Sequence, residues 1–468
     1  MSLVDYLIIF TFFAGIIFFA LYQKKKSKNQ NNQSYFLAGR NIPWVVAMFS
    51  IVATETSVIT FMSIPGLAYK SHDWTFLQLA IGYILGRFFV SYFFIPIYYK
   101  DGIISIYQVI GDKFGPIVQK LASVTFLITR FLADGVRFLA TSVVLHIITG
   151  WNLQVSILII GVITIFYSSI GGLKTILWID GFQFFVYLVC GFIAIFYISN
   201  YGSLSYTEVS ENGFFNIFNF ASEGFQFSAV LTSILTGILL SVGSHGIDHM
   251  MVQRVLSTKS ISNAKKAMIG SGVFVFIQFM IFLCVGTLIA SDTNFLFSKE
   301  SDYVFAEYIR NHIPIGLRGL MIAGVLSAAM SSLSSSINSL ASSTVIDIYN
   351  KKTTSSESFK ISVVWGLLLT FFAVIFKYDP ETSSLINISL GIISFTYGGL
   401  ISLFIFTKLK IRFSKESIIF GYIFSITLLL LLAYFDITWK YYIAISICSN
   451  FIITYVVNFY SSLLINKE

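Results

Sequence analysis

The sequence predicts an all-α integral membrane protein of about 13 transmembrane helices. Three observations carry that prediction. Of the 468 residues, 56% are hydrophobic and 11% are charged, whereas a soluble domain carries about 25% charged residues. The mean hydropathy is +0.81, which leaves too little polar surface to cover a water-soluble globule. The apolar residues also stand in blocks of about 18 or more, long enough to cross a hydrocarbon core.

The first block spans 3–22 and is followed by Lys24, Lys25, Lys26 and Lys28. No positive region precedes it and no small-residue cleavage site follows. It therefore reads as a membrane helix with a cytoplasmic C-terminal end, not as a cleaved signal. The other blocks are 42–69, 74–99, 116–149, 152–172, 175–200, 227–250, 267–290, 315–347, 359–378, 382–407, 415–435 and 438–464. With the N-terminus outside, six of the 30 Lys and Arg fall outside: Lys70, Lys299, Arg310, Arg318, Lys377 and Lys440. Three lie at membrane depth (Arg87, Arg130, Arg137), and the remaining 21 fall on the cytoplasmic side. Positive charge favours the inside, so the expected location is the cell inner (plasma) membrane, with a cytoplasmic C-terminus at Lys467 and Glu468. The net charge of +8 is thus a topology signal and not a nucleic-acid footprint. The longest external loops are about 201–226 and 291–314, the second with an amphipathic helix near Asp302–His312. Cys190, Cys284 and Cys448 lie in apolar blocks and suggest neither a disulfide framework nor a metal site.

Two stretches break the apolar pattern. Ser50-Ile51-Val52-Ala53-Thr54-Glu55-Thr56-Ser57 lies in the second block, and Ser241 through His249 (SVGSHGIDH) lies in the seventh. They are five spans apart, so their helices cross in opposite directions, as a five-plus-five inverted repeat requires. Unwound backbone at membrane depth survives where it lines a cavity or is buried in protein. Its freed carbonyls can bind a hard cation; the competing reading is a pair of packing kinks. The ninth block carries Ser331, Ser332, Ser334 and Ser335 on adjacent turns. Such neutral oxygens suit a sodium ion, or else tight helix packing.

Charged and polar groups inside the blocks add candidates. Arg130, Asp134 and Arg137 share a helix face and read as an ion-pair ladder against a neighbouring helix. Asp180 could raise cation affinity near the serine helix, or serve as a first-turn dipole partner. Glu55 could contact solute, carry a proton or make a buried structural hydrogen bond. His245 could be a ligand, a proton carrier or a satisfied pore-lining group.

The chain resembles the sodium:solute symporter family over roughly residues 34–350. The resemblance rests on four collinear pieces. They are Tyr35-Phe36-Leu37-Ala38-Gly39-Arg40 with Pro43-Trp44; Gly171-Gly172 through Asp180 and Gln183; Gln253-Arg254 with Lys259 and Ala264; and Gly319-Leu320 through Ser339 with Asp347-Ile348-Tyr349. It implies a five-plus-five inverted-repeat symporter core with broken first and sixth core helices. The implied organisation is an extra N-terminal helix and basic loop (1–33), a first repeat (34–200), an external loop and second repeat (201–412) and two extra C-terminal helices (413–468). It implies a main Na⁺ site of the Ala53, Thr56 and Ala328 carbonyls with the Ser331 and Ser332 hydroxyls. A second candidate Na⁺ site falls on Asp180, Ser334 and Ser335.

The resemblance departs where solute binds. A sugar-carrying member uses glutamine and asparagine where this chain has Thr60 and Ser241, and a tyrosine near the place of Ser244. Ile179 stands where the signature has threonine. The solute candidates, chosen by position and polarity, are Thr54, Glu55, Thr60, Gln78, Ser241, Ser244 and His245. The expected function is sodium-coupled uptake of a small polar organic solute (sugar, acidic sugar or short carboxylate) by alternating access. The alternatives are a proton-coupled symporter of the same fold and a transporter-like receptor; the latter usually appends a signalling domain, whereas this sequence ends about four residues after its last block. No nucleophile–base spacing or metal motif supports an enzyme.

Overall fold

Helices form wherever the sequence is apolar, because hydrocarbon offers no partner for a free backbone N–H or C=O. The computed structural model describes residues 1–26, 32–99, 103–204, 215–218, 227–295, 303–350, 354–376 and 385–465. The principal helices are α1 (Leu3–Lys26), α2 (Trp44–Glu55), α3 (Val58–Ser71), α4 (Phe76–Phe93), α5 (Pro116–Thr149), α6 (Leu153–Tyr201), α7 (Phe227–Val242), α8 (His249–Leu256), α9 (Ile261–Ala290), α10 (Val304–Asn311), α11 (Leu317–Ser343), α12 (Ser355–Ile375), α13 (Leu385–Lys408), α14 (Lys415–Tyr434) and α15 (Tyr442–Ile465). Two isolated bridges are the only β pairing among the described residues. Lys28, Lys299, Asp302, Lys377, Lys467 and Glu468 lie outside the described residues, as does most of the first external loop.

Among the described residues eleven helices are long and apolar enough to cross a membrane, and α2 with Thr60–Ser71 of α3 forms a further candidate span bent by 60°. The blocks 152–172 and 175–200, read as two spans, form the two helical segments of α6, which meet at a kink. At 1.5 Å per residue the 19 residues before Gly172 and the 29 after it are about 28 Å and about 44 Å long, each enough for one crossing of a ~30 Å core. The turning point is Gly172, at φ 60° and ψ −170°. A methyl there would meet the Tyr35 carbonyl oxygen at 2.8 Å. The double-glycine signature is thus a backbone requirement, because only glycine takes this conformation without strain and lets Tyr35 approach.

Both predicted breaks are real. α2 stops at Glu55, and Thr56 and Ser57 are extended before α3 begins. α7 runs into a π-helical turn at Gly243–Ile247, and extended Asp248 separates it from α8. The block 74–99 ends as a span at Phe93, and a short helix, Ile95–Tyr98, follows with Pro96 in its first turn. Pro96 lacks the N–H that would have continued α4.

Small residues set two close contacts. Gly82 of α4 lies against α7, where a methyl would stand 2.2 Å from the Ile234 carbonyl oxygen. Gly86 faces Ser241, whose hydroxyl donates to the Tyr83 carbonyl (3.0 Å). Backbones approach this closely only where side chains are absent or small. At the centre stands α11, buried without interruption from Met321 to Ser343.

The extra helix α1 is fastened to that centre. The Asp5 carboxylate accepts from the amides of Gly316 (2.9 Å) and Gly319 (3.0 Å) at the start of α11. It therefore serves as that helix's cap from 311 residues away and offsets its dipole. Asp5→Ala is expected to destabilise the protein by about 1–2 kcal/mol. The expected reading is a lower apparent unfolding temperature in detergent; no shift would mean that α1 packs without this cap.

Candidate functional site

The break after Glu55 leaves the last carbonyls of α2 without helical donors. α11 supplies them. Ser331 Oγ lies 2.7 Å from the Ala53 carbonyl and 3.3 Å from that of Ala328. Ser332 Oγ lies 3.0 Å from the Thr54 carbonyl and 3.3 Å from that of Ala328. Four of the five oxygens expected in the main sodium site thus stand together. The fifth residue, Thr56, is one step along, with its amide and hydroxyl both donating to the Val52 carbonyl. A serine hydroxyl that donates to a carbonyl can rotate its hydrogen away and present a lone pair. The cluster can therefore hold a hard cation with neutral oxygens, the ligand type such cations take.

Beside it lies a second cluster. Asp180 Oδ2 accepts from Ser50 (2.6 Å) and Thr54 (3.4 Å), and Thr54 Oγ1 is 3.1 Å from Ser335 Oγ. Ser334 turns to the Ser331 carbonyl (3.2 Å). Asp180 sits about two turns past the Gly172 kink and not in a first turn. The sequence reading did not place Arg254 here. Its guanidinium reaches Asp180 at 3.3 Å and Ser335 more closely.

A cavity of about 100 Å³ opens between the two broken helices, well above the volume needed to hold water. Glu55, Thr60 and Ser244, three of the seven solute candidates, line it. Glu55 pairs with Arg87 and stands 3.5 Å from His245 Nε2, so one carboxylate ties α2 to the π-helical turn. His245 itself is fully buried, with Nδ1 2.7 Å from Ser244 Oγ. The other candidates lie elsewhere. Thr54 belongs to the Asp180 cluster, and Ser241 fills the α4–α7 contact. Gln78 holds the segment 215–218 through the Ile217 carbonyl (2.8 Å).

The cavity also takes residues outside the predicted solute set, namely Ser57, Arg130, Arg137 and Tyr397, with Phe76 edge-on to Phe279. The shared face of Arg130, Asp134 and Arg137 was visible in the spacing, but not the cavity it meets. Arg130 is saturated by Asp248, Tyr397 (2.8 Å) and Asp134 (3.4 Å). This part of the ladder does lock α5 against its neighbours. Arg137 differs: it touches Asp134 at 3.3 Å and keeps its side chain 16% exposed. It also lines a void of about 10 Å³ together with Ser57 and Ser332. One guanidinium thus borders both the cavity and the serine cluster.

The remaining motifs have structural partners. Gln253 donates to the Phe36 carbonyl (2.7 Å), and Asp347 accepts from Ser105 (2.7 Å), Gln119 (2.9 Å) and Ser343 (2.9 Å). The three cysteines are free. No metal-binding group of His, Cys, Asp and Glu occurs among the described residues.

Comparison with known proteins agrees with this architecture. The family model for the sodium:solute symporter family matches residues 35–425. The chain is 28% identical to the sodium/sialic acid symporter NanT of Aliivibrio fischeri, over 91% of this chain and 87% of that one. It is 27% identical to sodium-coupled monocarboxylate transporter 2 of Mus musculus, over 79% of this chain and 63% of that one. Its fold matches a Na⁺-coupled sialic acid symporter solved in a substrate-bound outward-open state, with a TM-score of 0.87 at 24% identity over 98% of both chains. A multi-pass membrane protein with two opposed broken helices, a hydroxyl-lined helix between them and this match over most of its length, the chain belongs to the sodium:solute symporter family.

Proposed function

We propose that this symporter couples sodium influx to uptake of a small solute bearing a carboxylate. The observation that carries the carboxylate is Arg137, whose guanidinium has Asp134 as its one ion-pair partner among the described residues, at the edge of the cavity and beside Ser332. Arginine binds carboxylates through paired, charge-assisted hydrogen bonds. Charge balance supports the same reading. The paired groups around the cavity, Glu55 with Arg87 and Arg130 and Arg137 with Asp134 and Asp248, sum to zero. A sodium ion entering with an anion keeps that balance at membrane depth, where net charge is costly. Relatives whose names specify sialic acid and monocarboxylates fit this solute class.

The main sodium site is Ala53, Thr56, Ala328, Ser331 and Ser332. Sodium arriving from outside ties the end of α2 to α11 and stabilises the outward-open state. Solute then binds against Arg137, Glu55, Thr60 and Ser244. Closure and inward opening release both to a cytoplasm low in sodium. Sodium can bias this equilibrium only through its differential affinity for the two states, and bridging two helices that separate supplies that difference. The N-terminus faces outside and the C-terminus the cytoplasm of the plasma membrane. The repeats run 34–200 and 201–412, flanked by 1–33 and 413–468. No step of this cycle makes or breaks a covalent bond.

The test is uptake into proteoliposomes under an imposed sodium gradient, screened over acidic sugars, short carboxylates, neutral sugars and amino acids. Sodium-driven accumulation of a carboxylate supports the proposal. Accumulation in sodium-free buffer at acidic pH would select proton coupling, and binding without accumulation would select a receptor. Arg137→Gln is expected to raise the half-saturating concentration of that solute tenfold or more, from about 1.5–3 kcal/mol for a charge-assisted bond. Sodium binding without solute should stay unchanged. Equal affinity in the variant would remove the carboxylate from Arg137.

A further inference from the structure

The end of α4 at Phe93, cytoplasmic in the orientation proposed above, gathers charge that the transport cycle does not use. Leu85, Phe88, Phe89 and Tyr92 are exposed, from 43% at Phe88 to 65% at Tyr92. They follow i, i+3, i+4 and i+7 spacing and form one apolar stripe on the outer face of the bundle. Two lysines from other helices reach its Tyr92 end. Lys265 of α9 places its Nζ 4.3 Å from the centre of the Tyr92 ring. Lys408, the last residue of α13, places its Nζ 5.6 Å from the centre of the Phe93 ring. Packing fixes both reaches. A methyl on Gly272 would lie 3.4 Å from the Ile84 Cα, so α9 runs close along α4, and Lys265 stands about two turns before Gly272. Phe404 meets Phe94 and Tyr98 edge-on, at 6.3 and 5.5 Å between ring centres, and Lys408 follows it by about one turn. Tyr92 and Phe93 are sequence neighbours, so their rings diverge by about 100° round the helix. The two ammonium groups therefore flank the end of α4.

We propose that these two lysines and the stripe they flank bind one anionic phospholipid, with its phosphate between Lys265 and Lys408 and an acyl chain along the exposed rings. Every ion pair among the described residues is made by arginine or histidine, so neither ammonium has a carboxylate partner there. Lys266, Lys410 and Arg412 beside them are exposed as well. A positive cluster without counter-charge at the membrane surface attracts an anionic headgroup. The lysine stems lie against apolar rings with their heads at headgroup level.

Two features favour a lipid over a soluble phosphate. Contact with the rings already holds each ammonium in place, so little side-chain freedom remains to be lost on binding. Below the ammonium groups, Phe89 stacks on Phe93 (5.0 Å between ring centres), an apolar surface that only an acyl chain can use. The site also joins helices that border the cavity. α4 carries Arg87, the partner of Glu55, and α13 carries Tyr397, which donates to Asp248 (2.8 Å). A lipid seated here braces both.

Native mass spectrometry of the delipidated full-length protein in detergent tests this, with phosphatidylglycerol and phosphatidylcholine of identical acyl chains as probes. The wild type is expected to bind one phosphatidylglycerol with a preference on the order of 25-fold, from about fivefold for each lysine. Lys265→Gln or Lys408→Gln should keep about fivefold, and the double variant should show no preference. Lys440→Gln, exposed at the other end of the bundle, should keep the wild-type preference, whereas a general effect of net charge would lower it too. Excess glycerol phosphate should not displace the lipid. Equal binding of the two lipids by the wild type, or an undiminished preference in the double variant, would overturn the proposal. Displacement by glycerol phosphate would overturn the lipid in favour of a phosphate site, and a lipid-free dimer would assign the face to a second copy. Should the double variant fail to fold, the single variants decide by the same loss. Neither sodium nor solute enters the measurement, so its failure leaves the transport reading untouched.

Discussion

Replacing Ser331 and Ser332 together by alanine is expected to raise the sodium concentration for half-maximal uptake by at least about 100-fold. Each hydroxyl is one of five proposed ligands, and a bond from a polar group to a charge is worth about 1.5 kcal/mol or more. Two such losses, about 3 kcal/mol, correspond to a factor on the order of 150. Ser332→Ala alone should give roughly a tenfold shift by the same reasoning. The variants also leave the Ala53 and Thr54 carbonyls without their donors, so some loss of stability is expected beside the functional loss. Ser327→Ala separates the two effects. Its hydroxyl bonds the Ala323 carbonyl of its own helix at 2.7 Å, and its replacement should leave sodium activation unchanged. Unaltered sodium activation in the double variant would remove these serines from the ion site.

Asp248→Ala is expected to destabilise the protein by about 3–5 kcal/mol, the usual result of stranding one partner of a buried ion pair. Both side chains are all but inaccessible, Arg130 at 2% and Asp248 at 1%. Asp248 also accepts from Tyr397 (2.8 Å) and caps α8 through the Met250 amide (3.0 Å). One substitution thus removes an ion pair, a tyrosine partner and a helix cap at the second break. The apparent unfolding temperature in detergent is the measurement. Combining Asp248→Leu with Arg130→Met should recover much of the loss, because an apolar pair of similar volume often replaces a buried ion pair without penalty. A single variant as stable as the wild type would show that the pair does not hold α5 to the second broken helix.

Much of the fold was legible in the residues. Block length and hydropathy are local properties, so α1, α5, α11, α14 and α15 begin and end within a few residues of expectation. The breaks were legible because Gly243, Gly246 and the polar residues around them, like Ser50 through Ser57, are anomalous in any apolar span. The kink at Gly172 was legible in the same way, since its double glycine separates the blocks 152–172 and 175–200.

The site was legible in part. The sequence by itself determined that two helices are interrupted, that a third is lined with hydroxyls, and which charged groups lie at membrane depth. Only the tertiary structure decided which of those groups meet. It put Ser241 between α4 and α7, Gln78 against the segment 215–218, Arg137 at the edge of the cavity and Arg254 inside the Asp180 cluster. The physical reason is range. Helix length and interruption follow from neighbours a few residues away, whereas the Arg254–Asp180 contact joins residues 74 apart and the Ser331–Ala53 contact joins residues 278 apart. Those meetings depend on how whole helices pack and rotate against one another, which no local pattern specifies.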